Sequence, residues 1–274
     1  MGPTLAAIRP TAVAGSFYSA DAAELRSEID DLLRSTASAA ITPIPKVLIA
    51  PHAGYIYSGP IAAAGYRRLA PARRRIMRVV LFGPSHFGGF DGLAASSAAD
   101  WQTPLGTVPV DRPMAERLIK AKLMDVLDAA HAREHSLEVH LPFLQVALDE
   151  FALVPIVAGD ASPKAIAAVL DAVWAGRETL IVVSTDLSHY LDYRSCQATD
   201  RQTAAAIERL DPSGLGPQSA CGRVPVRGLL AAAKRRGMSI VRLDLRNSGD
   251  TAGPRHRVVG YGSWALFEPV GQQP

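Results

Sequence analysis

The sequence has few of the residues that mark secreted or membrane proteins. Only two of its 274 residues are cysteines, and aromatic residues make up 6%. Two thiols cannot form the disulfide framework of a secreted domain, and they fit a reducing compartment. The N-terminus lacks a basic stretch followed by an apolar one, and no apolar run is long enough to span a bilayer. We therefore expect a cytoplasmic protein without a membrane partner.

The charge balance gives no sign of a polyanionic partner. The formal net charge is +3, and the two densest basic runs, 73–75 and 234–236, fall where helices are expected to end. Nucleic-acid binding requires a clustered basic face with aromatic groups for stacking, and the sequence shows no such cluster. We expect no nucleic-acid partner.

Short apolar runs without polar alternation are the strongest structural signal that is present. They occupy 46–50, 78–82, 151–157 and 179–183. Such runs are typical of strands that are buried on both faces of a sheet. Two later runs, 240–245 and 258–267, carry some period-two alternation, which favours an edge or an antiparallel pair.

Helical patterns separate these strands. The clearest extends from Ser162 to Ala175, with serine as N-cap, Pro163 at the first helical position and Gly176 after the end. Alternating strands and helices predict a central, mostly parallel or mixed sheet with helices on both faces. We therefore expect the α/β class, as one α/β/α sandwich domain over residues 1–274.

Histidines follow three of the predicted strands at the point where each ends. His52 follows run 46–50, His86 follows run 78–82, and His189 follows run 179–183. The carboxyl ends of neighbouring parallel strands form the crevice in which ligands bind. Imidazole is both a common metal ligand and a general base near neutral pH. The pattern leaves metal binding, acid–base chemistry or both open, and each histidine taken alone could be structural.

Two further groups of residues are candidates for the same chemistry. His135 and Glu138 lie three residues apart and share a face on a helix, although a solvated first helical turn explains them equally well. The glutamate is not inside an i, i+4 histidine pair, so the segment is not the motif of zinc proteases. Cys221 precedes a predicted helix, whose N-terminus lowers a thiol pKa and so favours metal binding or nucleophilicity.

Together these motifs resemble the Memo family, in particular its prokaryotic type known as AmmeMemoRadiSam system protein B. The matching segments occur in order between about residue 12 and about residue 268. They are AGSFY at 14–18, APHAGYIYSG at 50–59, GPSH at 83–86, EHSLEVHLP at 134–142, STDLSH at 184–189, CGR at 221–223, NSGDT at 247–251 and VGY at 259–261.

The resemblance implies a fold like that of the class III extradiol ring-cleavage dioxygenases, with a non-haem metal site. It implies His52, His86 and Cys221 as ligands of Fe(II) or Cu, with Zn as an alternative. It also implies His189 as the acid–base group, with Asp186 setting its tautomer. A thiolate in place of the dioxygenase carboxylate softens the site towards Cu(I) or Zn. Substrate contacts are expected from Tyr55, His135, Glu138, His140 and Arg223.

Three functions are consistent with these residues. The first is that of a metal-dependent oxidoreductase with redox or dioxygenase-like chemistry on an unknown small molecule or peptide. The second is a binding or scaffold role that uses the same crevice without chemistry. The third is a zinc hydrolase, since two histidines, a cysteine and a water make a plausible catalytic zinc set. The resemblance also implies radical-SAM and AMMECR-type pathway partners.

Overall fold

A nine-stranded mixed sheet forms the centre of the fold in the computed structural model, which describes residues 8–35 and 43–269. The strands are β1 Ile8–Arg9, β2 Val47–Ala50, β3 Arg78–Pro84, β4 Leu93–Ala95, β5 Asp100–Thr103, β6 Gly106–Pro109, β7 Asp125–Val126, β8 Ala152–Ala158, β9 Thr179–Ser184, β10 His189–Leu191, β11 Ser239–Asn247 and β12 Val258–Phe267.

Helices connect and cover these strands. They are α1 Ala22–Ser35, α2 Tyr55–Tyr66, α3 Arg112–Lys120, α4 Asp128–Ala132, α5 His135–Glu138, α6 His140–Ala147, α7 Pro163–Val173, α8 Tyr193–Glu208 and α9 Arg223–Arg235. The serine hydroxyl of Ser162 accepts a hydrogen bond from the Ala165 amide, so it caps α7 as the sequence predicts. None of the helices in the described ranges is both long and apolar enough to cross a lipid bilayer.

The order of the large sheet is β10-β12-β2-β9-β3-β8-β4-β7, and β11 pairs antiparallel with β12 in addition. Strands β2, β9, β3 and β8 are parallel, whereas β12 runs antiparallel to β2 and β4 runs antiparallel to β8. A separate small sheet contains β1, β5 and β6. The four apolar runs predicted as buried strands, and the antiparallel pair after them, are confirmed.

The apolar strands separate two hydrophobic layers. In β2, Leu48 and Ala50 pack into the layer with α1, α2 and α6, whereas Val47 and Ile49 pack into the layer with α7 and α9. Successive side chains of a strand point to opposite faces, so a strand between two layers must be apolar throughout. This arrangement confirms the predicted α/β/α sandwich.

Strands β2, β9 and β3 are adjacent, and their carboxyl ends lie at the same edge of the sheet. They are the strands that precede His52, His189 and His86. The loops after them therefore meet over one crevice, as expected for parallel neighbours.

Candidate metal centre

Three imidazole rings meet in this crevice. His52 follows β2, His86 follows β3, and His135 is the first residue of α5. One ligand atom from each ring lies within 4.8 Å of the others, and the ring centroids are 4.5 to 5.5 Å apart. This spacing lets three nitrogens face one ion with modest adjustment, since metal–nitrogen bonds are about 2.0–2.1 Å long.

Glu134 holds His86 in place. One carboxylate oxygen lies 2.8 Å from His86 Nδ1, and the other accepts the His86 backbone N–H at 2.6 Å. A carboxylate can only accept, so Nδ1 carries the proton and Nε2 keeps its lone pair for a ligand. Burial alone would raise the pKa of Glu134, but the hydrogen bonds from His86 and from the Ser136 amide outweigh it and lower this pKa to about 2.

His52 is buried and is held from two sides. Its backbone N–H donates to Asp186 at 2.8 Å, and its Nδ1 lies 2.5 Å from the hydroxyl of Ser184. Burial, followed by the nearby histidines, moves the pKa of His52 well below its ordinary value. The ring is therefore neutral near pH 7, which is the form that binds metals.

His135 completes the group through tertiary contacts. Its ring stacks on His86 at 4.5 Å and packs against Phe17 at 4.8 Å. Burial, and then the charge of His86, lowers the pKa of His135 to about 4. The sequence indicated a substrate contact here, whereas the structure brings the ring into the candidate ligand group.

Cys221 lies beside the three histidines and is not part of the group within 4.8 Å. Its Sγ is 3.4 Å from His52 Nε2 and accepts the Asp186 backbone N–H at 3.3 Å. Gly222 permits this approach, because a Cβ there would lie 2.4 Å from the carbonyl oxygen of Ser184. The proposed ligand role of Cys221 stays a prediction, supported by its closeness to His52.

The expected lowering of the Cys221 pKa is wrong. Burial raises the pKa of the thiol, and the charge of Asp186 raises it further. The helix behind it begins only at Arg223, so desolvation of the thiolate dominates over the helix dipole. Cys221 would therefore need an adjacent cation to become a thiolate.

Asp186 does not set the tautomer of His189, contrary to the sequence-based interpretation. His189 Nδ1 donates instead to the carbonyl oxygen of Leu187 at 2.8 Å. Asp186 accepts the His52 backbone N–H, and burial raises its pKa to about 7. Asp186 therefore positions the strand end that carries His52, while His189 Nε2 has no hydrogen-bond partner among the described residues and its side chain lines a cavity.

Three residues expected to contact substrate have other partners. Tyr55 is buried and donates to the Val139 carbonyl oxygen at 2.7 Å. Glu138 and His140 are fully buried, and both are hydrogen-bonded inside the protein. Their contacts give these three residues structural positions behind the crevice.

Two cavities are lined in part by Cys221. One has a volume of about 520 Å³ and is lined by His189, Ser195 and Gln218 among others. The second has a volume of about 550 Å³ and is lined by Arg223, Asp91 and Asp160 among others. Arg223, predicted to bind substrate, therefore faces space that a ligand can occupy.

Sequence reasoning missed Glu134 and Ser184 as supports of the histidines. Glu134 directly precedes His135, and Ser184 is the last residue of the strand before His189. The sequence did show a carboxylate or a hydroxyl within a few residues of a candidate histidine in each case, but it did not show which histidine that group would contact. Neither pairing is local, because Glu134 supports His86 and Ser184 supports His52.

Comparisons with known proteins agree with this architecture. The family model described as Memo-like protein matches residues 9–265. A MEMO1 family protein of Saccharolobus solfataricus is 34% identical, over 92% of this chain and 97% of its own length. A MEMO1 family protein of Methanothermobacter thermautotrophicus is 35% identical, over 93% of this chain and 98% of its own length.

A solved structure supports the fold. The crystal structure of an uncharacterized protein from Escherichia coli K12 matches with a TM-score of 0.51 and 13% sequence identity. The match covers 81% of this chain and 99% of that protein. At this identity the likeness concerns the fold alone, whereas the family model and the relatives extend over nearly all of the sequence. The chain belongs to the Memo family.

Proposed function

We propose that this chain is a metal-dependent oxidoreductase that binds Fe(II) or Cu at His52, His86 and His135. The observation that carries this proposal is the meeting of three imidazoles within 4.8 Å, beside a cysteine that lines two cavities. Imidazole suits iron, copper and zinc, and three ligands leave positions open for a substrate. A bound ion of this kind supplies Lewis acidity and a redox-active centre.

The surroundings of the rings fit such an ion. The Nδ1 hydrogen of His86 is held by Glu134, and His52 Nδ1 is hydrogen-bonded to Ser184. Metal-binding histidines commonly donate a hydrogen bond from the N–H of their second ring nitrogen in this way, which fixes the ring and raises its basicity. Cys221, 3.4 Å from His52 Nε2, is the proposed additional donor, and it would favour the softer metals.

His189 is the proposed acid–base residue. Its Nδ1 hydrogen is held by the Leu187 carbonyl oxygen, so Nε2 can accept a proton. Partial desolvation, opposed by the hydrogen bond to Leu187, lowers the pKa of His189 below its ordinary value although the residue reaches the surface, so the ring is neutral at pH 7. His189 also lines one of the two cavities that reach Cys221.

The two cavities favour a substrate of some length. Both cavities are lined by Cys221, whose Sγ is 3.4 Å from His52 Nε2, so a molecule bound in either of them would lie near a candidate ligand. One cavity offers hydroxyl and amide groups, and the other offers the cation of Arg223 together with the carboxylates of Asp91 and Asp160. A small molecule with polar ends or a short peptide fits this lining. Radical-SAM and AMMECR-type partners remain part of the proposal.

The test is oxygen consumption by protein purified without oxygen and loaded with Fe(II) or Cu(I), in the presence of a reductant. We expect oxygen uptake by the wild type. His189→Ala should keep the metal content and lose about 10²–10⁴ in rate, the usual contribution of an acid–base group. His256→Ala, in an exposed loop before β12, is the control and should behave like the wild type.

A zinc hydrolase is the second candidate, because three histidines with an open position also form a common catalytic zinc site. Stoichiometric zinc in the purified protein, with no oxygen uptake after loading with iron or copper, would favour it. A protein that takes up no metal under any condition would instead be a binding or scaffold protein.

A further inference from the structure

A chain of buried hydrogen bonds leads from His52 into the core. His52 Nδ1 lies 2.5 Å from Ser184 Oγ, and Ser184 Oγ lies 2.8 Å from His140 Nε2. On its other side, His140 Nδ1 lies 2.6 Å from the hydroxyl of Tyr66. None of the four side chains exposes more than 1% of its surface. Water therefore cannot replace any of these partners.

The proton positions in this chain follow from the available donors and acceptors. Ser184 Oγ is 2.7 Å from the carbonyl oxygen of Ser136, which can only accept. Two oxygens at that distance require a hydrogen between them, so the single hydroxyl hydrogen of Ser184 points at Ser136. Ser184 must then accept from both rings, which places hydrogens on His52 Nδ1 and His140 Nε2.

The hydrogen bond between His140 and Tyr66 also has a defined direction. His140 contacts no carboxylate among the described residues, and a charged ring there would be buried without a partner. A neutral His140 with a hydrogen on Nε2 has a lone pair on Nδ1, which the Tyr66 hydroxyl satisfies as donor. One arrangement of hydrogens therefore satisfies all the hydrogen bonds between His52, Ser184, His140 and Tyr66.

We propose that Ser184, His140 and Tyr66 are positioning residues that hold His52 in the tautomer with a free Nε2 lone pair. This inference rests on the proposed function, in which His52 Nε2 is a metal ligand. The opposite tautomer would place a hydrogen on Nε2, facing Cys221 Sγ at 3.4 Å, and it would leave Ser184 one donor short.

The same contacts fix the position of His52 relative to the other ligands. Ser184 ends β9, and Ser136 lies in α5, directly after His135. The hydrogen bond between them ties the segment that carries Glu134 and His135 to the strand next to His52. Gly83 makes this packing feasible, because a Cβ there would lie 2.5 Å from the Ser136 hydroxyl.

The test is a titration of the apo protein with Co²⁺, followed by its visible absorption spectrum. Ser184→Ala should weaken Co²⁺ binding about 10–100-fold, the usual cost of losing an outer hydrogen-bond partner of a ligand. Its spectrum should also change, because the position of His52 in the ligand set changes. Ser263→Ala is the matched control: that serine is equally buried, has no hydrogen-bond partner for its hydroxyl, and should leave affinity and spectrum unchanged.

Tyr66→Phe is the second variant, because it removes one hydroxyl and keeps the ring that fills the core. It should weaken Co²⁺ binding less than Ser184→Ala and shift the spectrum in the same direction. Wild-type affinity and spectrum in both variants would overturn the inference and leave the proposed function intact. A wild-type protein that binds no Co²⁺, Fe(II) or Cu would overturn both.

Discussion

Glu134 and Glu138 lie four residues apart, and neither exposes any of its surface, but they stabilise different parts of the molecule. Glu138 accepts hydrogen bonds from Arg9, the amides of Ala12 and Val13, and the hydroxyl of Tyr18. All four donors belong to the N-terminal segment. The Glu138 carboxylate therefore anchors this segment to the body of the protein.

Glu134 accepts two of its hydrogen bonds from His86, which has a second ring nitrogen that faces the crevice. Glu134 and Glu138 differ in whether their hydrogen-bond partners can also bind an ion. The partners of Glu138 have no further function at the site, whereas the partner of Glu134 can bind an ion. The role of a buried carboxylate therefore depends on whether its hydrogen-bond partners still have an atom that can bind a ligand.

The same substitution at the two positions should separate these roles, with the larger effect on stability at Glu138. Glu138→Gln leaves the guanidinium of Arg9, itself 5% exposed, without its counter-charge. Breaking a buried ion pair from one side typically costs about 3–5 kcal/mol. We expect a loss of that size in urea unfolding, with unchanged Co²⁺ affinity of the folded protein. Loss of Co²⁺ binding in the folded variant would contradict the purely structural role assigned to Glu138.

Acid should weaken the region around Glu138 through His131. Burial, opposed by a hydrogen bond to the Ala94 carbonyl oxygen, lowers the pKa of His131 to about 4. Between pH 6.5 and pH 4 the unfolded chain binds a proton that the folded chain does not, so stability falls as the pH falls. The contribution is roughly 3 kcal/mol over this interval, at 1.36 kcal/mol per pKa unit.

Urea unfolding at pH 7 and pH 5 measures the larger part of this contribution, about 2 kcal/mol. His131→Gln keeps a donor for the Ala94 carbonyl oxygen and cannot titrate, so its stability should depend less on pH than that of the wild type. An equal pH dependence in both proteins would assign the acid sensitivity to the other buried histidines.

Of the substitutions at Glu138, His131 and Glu134, the one at Glu134 should change stability least and metal binding most. Glu134→Gln removes the charge that holds His86 and keeps the size of the side chain. We expect Co²⁺ to bind about 10–100-fold more weakly, as is usual for an outer-sphere carboxylate. A competition titration against a metal indicator measures the affinity. A change in stability without a change in affinity would make Glu134 a second structural carboxylate.

Most of the fold could be predicted because its signals are local. The apolar runs at β2, β3, β8 and β9 reflect burial on two faces, and Ser162 with Pro163 marks a helix start. The convergence of His52 and His86 followed from the rule for parallel strand ends.

The rest of the site depends on contacts between distant segments. His135 meets His86 only because α5 packs against β3, and Ser184 meets residues 132 and 44 positions away. The thiol of Cys221 shows the limit of a local rule. Its position before a helix predicted a low pKa, but burial, which no local pattern reveals, raises it.

The central proposal is that His135 is a ligand with His52 and His86, and that Cys221 is an additional donor on which Fe(II) binding does not depend. The most direct test is the metal content of anaerobically loaded and desalted wild type, His135→Ala and Cys221→Ser, measured with Fe(II) and with Cu(I). We expect one ion per wild-type chain, loss of Fe(II) in His135→Ala, and retention of Fe(II) with weaker Cu(I) binding in Cys221→Ser. Full Fe(II) retention in His135→Ala together with its loss in Cys221→Ser would contradict this account.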